Sequence, residues 1–199
     1  MLKHLKALFS SWYYMALNMY YFVFCKKWVD NKIEEYLLRE YNDDDIIVVG
    51  VHGIFEYYWQ SLVRYMKYFD EQGKVFIPIG YNFFDENNKT IDVIKKQLDD
   101  IHSKTGAKIV IIGNSSGAVK ASEIMYKHNS SYIQELVPLA SIYAPTRGVA
   151  FWWYWIAPDS KKTINDQFEK PNKVPIPKTK ISLYGKYDAF VIPRTASIC

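Results

Sequence analysis

The segment KIVIIGNSSGAVKASEIM, residues 108 to 125, constrains this chain more than any other. An apolar run from Ile109 to Ile112 enters Gly113-Asn114-Ser115-Ser116-Gly117 and passes, without a spacer, into a helix-compatible pattern. A strand-to-helix turn this abrupt brings backbone segments so close that side chains at its flanks would collide. Small residues are therefore needed at Gly113 and Gly117, two positions either side of Ser115. The turn lifts the Ser115 hydroxyl above a sheet and sets it at the amino end of a helix, where free N–H groups and the helix dipole favour negative charge. The amide of Ser116 then points toward the oxygen that becomes an anion when a carbonyl is attacked.

The surrounding pattern alternates. IIVVGVHG at 46–53 is an almost continuous apolar run ended by glycine, as in a strand covered on both faces. Residues 57–70 suit a helix, and KVFIPIG at 74–80 a strand that Pro78 places at an edge or a strand end. Ile91, Ile94, Leu98 and Ile101 repeat at helical spacing between a capping Thr90 and a stop at Gly106. A strand follows at 108–113 and a helix at 116–128. ELVPLASIYAP at 135–145 and KISLYG at 180–185 supply further strands. Such alternation predicts an α/β fold, a mostly parallel sheet flanked by helices, with binding residues at the carboxyl ends of the strands.

Residues 1–45 read as a leader to this domain of residues 46–199. ALFSSWYYMALNMYYFVFC, residues 7–25, carries no formal charge and is flanked by lysines. Its length suits a membrane, its tyrosines an interface, and Asn18 sits near its middle. Either a membrane anchor or surface helix, or a helix packed on the domain, meets that pattern. WVDNKIEEYLLREY at 28–41 is an amphipathic helix with Trp28, Ile33, Tyr36, Leu37 and Tyr41 on one side, and a polar turn at 42–45 closes the leader.

A net charge of +4 without a basic stripe or reading module argues against nucleic-acid binding. Cys25 and Cys199 form neither a disulfide framework nor a zinc pattern.

Residues 46–194 resemble the α/β-hydrolase family, in particular its lipase-like and esterase-like members. The resemblance rests on VHGIF at 51–55, GNSSG at 113–117, YAPTRG at 143–148 and YGKYDAFVIP at 184–193, each after a strand and in the family's order. It implies Ser115 as nucleophile, the amides of Ile54 and Ser116 as oxyanion hole, and His52 and Gly53 as the residues that shape the oxyanion loop. His52 is not the base in that pattern. YAPTRG departs from the family by carrying Ala144 and Thr146 where Thr and His are usual. Asp188 takes the place of the triad acid, the residue that holds an imidazole in one tautomer; otherwise it caps a turn after Gly185.

The imidazole itself is missing, since AFVIPRTASIC after Asp188 contains no histidine. His4 lies in the leader, His102 at the opposite end of the sheet and His128 at the far end of the helix leaving Ser115. Two expectations follow: a sequence incomplete at its carboxyl end, or a short relative that no longer hydrolyses.

Residues 148–178 read as an insertion whose Trp152, Trp153, Tyr154 and Trp155 form either a hydrophobic lid or ordinary core. The implied reaction is hydrolysis of an apolar carboxylic ester or lipid through a Ser115 acyl-enzyme, with no cofactor or metal and with membrane contact through residues 7–25. A binding protein that keeps the scaffold is the alternative.

Overall fold

The computed structural model describes residues 12–13, 16–53 and 56–139. Four parallel strands make one sheet in the order β2-β1-β3-β4, with β1 Ile46–Val51, β2 Phe76–Ile79, β3 Lys108–Asn114 and β4 Ile133–Leu139. Val51 of β1 stands opposite Gly113 of β3, so the two chains leave the sheet side by side. This is the expected α/β architecture.

β-branched residues dominate β1 and β3 because both are interior strands whose side chains meet cover on the two faces. Pro78 and Pro138 fall on β2 and β4, the outer pair of the four, where a missing N–H costs least. Just past β2, Gln97 imitates a neighbouring strand: its amide nitrogen donates to the Gly80 carbonyl at 2.7 Å, and its oxygen accepts the Gly80 N–H at 3.3 Å.

The helices are α1 Lys26–Leu37, α2 Tyr58–Ser61, α3 Val63–Glu71, α4 Asn87–Thr105 and α5 Ser116–His128. The single helix expected at 57–70 is a kinked pair joined at the fully buried Leu62. α4 begins three residues before Thr90, whose hydroxyl donates back to the Glu86 carbonyl from inside the helix rather than capping it. Gly106 ends α4 at φ +69°, a left-handed stop as the sequence suggested.

α1 ends at Leu37 instead of Tyr41, yet Tyr41 still covers it, its hydroxyl donating to the Tyr36 carbonyl at 2.6 Å. Val29 and Tyr36 are fully buried in the same cluster as Ile47, Ile94 and Ile109, and the Tyr36 hydroxyl donates to Asp70 of α3 at 2.6 Å. α1 thus packs on the sheet domain. Ahead of it, residues 16–24 are helical and mostly exposed, and a bend at the buried Cys25 joins the two. Among the described residues no helix is long and apolar enough to cross a membrane.

Candidate active site

Ser115 occupies the tip of the turn between β3 and α5, with φ 51° and ψ −122°. A positive φ is rare for a residue with a side chain, and holding one there costs about 1–3 kcal/mol, which the surroundings must offset. They do so by close approach. A Cβ on Gly113 would lie 2.3 Å from the Cα of Ala118, and one on Gly117 would lie 2.3 Å from the His52 carbonyl oxygen and 2.5 Å from that of Val51. The first turn of α5 is therefore pressed against both β3 and the end of β1. The Ser115 N–H donates to the Leu139 carbonyl of β4 at 2.8 Å, which pins the turn from its other side.

Ser115 is half-buried and serves as the N-cap of α5, with Ser116 as the first helical residue. The leading amides of a helix have no carbonyl one turn behind them, so the Ser116 N–H and the dipole of α5 are available to an anion beside Ser115.

The loop after β1 forms the facing wall. A Cβ on Gly53 would come 3.1 Å from the Ser115 Cβ, a tight contact, so the glycine lets the loop lie close against Ser115 without crowding it. Glu56 holds that loop in place: its carboxylate accepts the Gly53 N–H at 2.9 Å and the Asn114 side-chain amide at 3.1 and 2.9 Å. Glu56 was not anticipated from the sequence. Its position in VHGIFE, one residue beyond the recognised pattern, was the available signal.

His52 is buried and stacked on Tyr81, with ring centroids 4.1 Å apart and planes 6° from parallel. Its Nδ1 faces the Gly53 carbonyl at 2.8 Å, and its Nε2 accepts the Tyr81 N–H at 3.3 Å. These partners select the Nδ1–H tautomer and leave no nitrogen for Ser115. Burial lowers the His52 pKa, and the bond to Gly53 only partly offsets it, so the ring is neutral.

The Tyr81 hydroxyl donates its proton to the His52 carbonyl at 2.8 Å and so accepts from the Ser116 hydroxyl at 3.5 Å. Burial pushes the Tyr81 phenol well above its ordinary range. Behind it the buried Lys120 ammonium stands 5.7 Å from the Tyr81 ring centre, and burial brings its pKa down to about 8. One polar cluster thus sets the spacing between the β1 loop and the first turn of α5.

His102 donates from Nδ1 to the Ala107 carbonyl at 2.9 Å and stacks on Tyr132, before the start of β3 and so at the far end of the sheet. His128 is the last residue of α5. Ser115, Ser116, Gly113, Gly117, His52 and Gly53 are gathered at one place. Ile54, Asp188, the segments at 143–148 and 180–185 and the insertion at 148–178 lie outside the described residues. Among the described residues no group of three histidine, cysteine or carboxylate side chains could hold a metal ion. A cleft of about 1020 Å³ runs beside β2 between α1 and α4, and Ser115 is not among its described walls.

No protein-family model matches the sequence, and neither does any curated protein. Solved structures do resemble the fold. The lipase BlEst2 of Bacillus licheniformis in its propeptide form matches with a TM-score of 0.52 at 14% identity over 69% of this chain and 34% of that one. Its mature form matches with a TM-score of 0.49 at 15% identity over 66% of this chain. Esterase B of Lactobacillus rhamnosis, in a phosphonate-inhibited structure, matches with a TM-score of 0.47 at 16% identity over 70% of this chain and 55% of that one. The chain spans 62% of the length of mature BlEst2. The fold, a parallel sheet flanked by helices, is similar to that of BlEst2 in its propeptide form, and the neighbours named are lipases and an esterase.

Proposed function

We propose that the protein is a serine hydrolase of carboxylic esters, with apolar lipid esters as its substrate class. The observation that carries this reading is the backbone of Ser115, held at φ 51° on the cap of α5 with the Gly53 loop against its Cβ. A serine needed only for packing has no reason to occupy so strained a conformation.

In this reading the Ser115 oxygen attacks the ester carbonyl carbon. The carbonyl oxygen gathers negative charge against the amides of Ser116 and Ile54, and the alcohol departs with a proton to leave an acyl-enzyme. Water then attacks the acyl carbon and releases the acid. Asp188 is assigned the part of the acid that orients the base. The proton acceptor for Ser115 is none of the three described histidines: His52 is engaged at both nitrogens, and His102 and His128 stand at distant ends of their helices.

That observation favours one second reading, a binding protein that keeps the scaffold without turnover. A fluorophosphonate probe separates the two. Labelling of the full chain that disappears in Ser115→Ala supports the hydrolase, whereas labelling that persists in that variant, or is absent from both, defeats it.

A further inference from the structure

The helix at 16–24 turns apolar side chains outward where a soluble surface would carry charge. Met19, Tyr20, Val23 and Phe24 are 57, 53, 59 and 66% exposed, and the Tyr20 and Phe24 rings lie 5.2 Å apart on one face. Trp28, one turn beyond, extends that face at 38% exposed. A contiguous apolar patch of this kind marks an interaction surface. Its composition narrows the partner, because tyrosine and tryptophan suit the boundary between hydrocarbon and water.

Cations surround its base. The Lys67 ammonium lies 5.4 Å from both the Tyr21 and Trp28 rings, and the Arg64 guanidinium lies 5.6 Å from Tyr21. Lys26 stands 5.5 Å from the Trp59 ring and pairs with Asp30 at 2.6 Å, while Lys27 is exposed. No carboxylate precedes Asp30 in the sequence. A symmetric pairing of two copies through this face would bring collar against collar and repel. An anionic lipid surface satisfies both halves of the patch.

The patch also connects to the candidate active site. Trp59 donates its indole N–H to the Phe22 carbonyl at 3.1 Å, and the Phe22 ring lies 5.4 Å from that of Tyr57. Tyr57 follows Glu56, the residue that fixes Gly53 against Ser115.

We propose that this aromatic face and its cationic collar dock the protein on an anionic phospholipid surface, setting the loops around Ser115 beside the lipid boundary. The consequence for catalysis rests on the ester-hydrolase reading; the docking itself does not.

Sedimentation with vesicles of phosphatidylcholine alone, and of phosphatidylcholine mixed with phosphatidylglycerol, tests it on full-length Ser115→Ala, in which turnover cannot alter the lipid. The protein should sediment with the mixed vesicles and be released by salt. Lys27→Glu with Lys67→Glu should weaken that binding about tenfold or more, given the attraction of each cation near an anionic surface. Tyr20→Ser with Phe24→Ser should abolish it. In the wild-type chain, brominated lipid in the mixed vesicles should quench tryptophan fluorescence, a readout that needs no variant to fold. Failure to sediment and quench, equal binding to both vesicles, or dimers in solution dissolved by Tyr20→Ser with Phe24→Ser would each overturn the proposal. Binding lost while Ser115 of the wild type still takes the fluorophosphonate refutes docking alone; binding kept without labelling refutes the hydrolase alone.

Discussion

Asn114 and Glu56 join the two walls of the candidate site, the Asn114 amide nitrogen lying 3.1 and 2.9 Å from the two carboxylate oxygens of Glu56. Because Glu56 also takes the Gly53 N–H, the carboxylate couples the loop after β1 to the strand that delivers Ser115. A double-mutant cycle with Glu56→Ala and Asn114→Ala, read by denaturant unfolding, should give a coupling energy of about 1–3 kcal/mol. Additive losses would mean that the contact does not join the walls.

Gly117→Ala should destabilise the fold by about 3 kcal/mol, since its Cβ would enter the carbonyls of His52 and Val51, which cannot rotate away. Gly73→Ala is the control. Its φ is +67° with nothing near, so only the backbone term of about 1 kcal/mol should appear in the melting curves.

Ser115→Gly should be more stable than Ser115→Ala by about 1–2 kcal/mol, because glycine accepts φ 51° without penalty and alanine does not. Equal melting temperatures for the pair would remove the strain from the account of the turn.

Lys120 gives the fold an alkaline stability profile. Its folded pKa of about 8 lies below the ordinary 10.5, so the unfolded chain binds more protons between those values, and stability rises with pH through that window. From pH 7 to pH 9.5 the gain should be about 2 kcal/mol, and Lys120→Met should flatten the rise.

His52 acts on the acid side. Its folded pKa lies below the ordinary 6.5, so stability present at neutral pH is lost as pH falls beneath that value and the unfolded chain takes up a proton the buried ring refuses. His52→Phe should remove this contribution to the acid limb in pH-dependent unfolding. It should also cost about 1–3 kcal/mol at neutral pH by orphaning the Tyr81 N–H.

The sheet was legible because interior strands write themselves as β-branched runs, as β1 and β3 do, and because Pro78 announces an outer position. The turn at Ser115 was legible because steric demand leaves glycine at 113 and 117. Helix limits were less so: Thr90 carries a capping side chain but spends it on the Glu86 carbonyl, and Tyr41 reaches the apolar side of α1 from the turn beyond it. Glu56 escaped notice since Asn114, the partner that ties it to β3, is brought to it by strand pairing across 58 positions, while Gly53, three residues away, signals only a local turn. His52 as a loop residue came from family resemblance; the two partners that occupy its nitrogens, Gly53 and Tyr81, depend on the meeting of two separate strand ends.

The order β2-β1-β3-β4 has a bearing on how the molecule breathes. Gly53 and Ser115 follow neighbouring strands, β1 and β3, so when β2, at one end of the described order, frays, the pairing of Val51 with Gly113 still holds the distance between them. Amide exchange on β1 and β3 should therefore report whole-molecule unfolding, while β2 exchanges earlier, leaving the approach of Gly53 to Ser115 among the last features to dissolve.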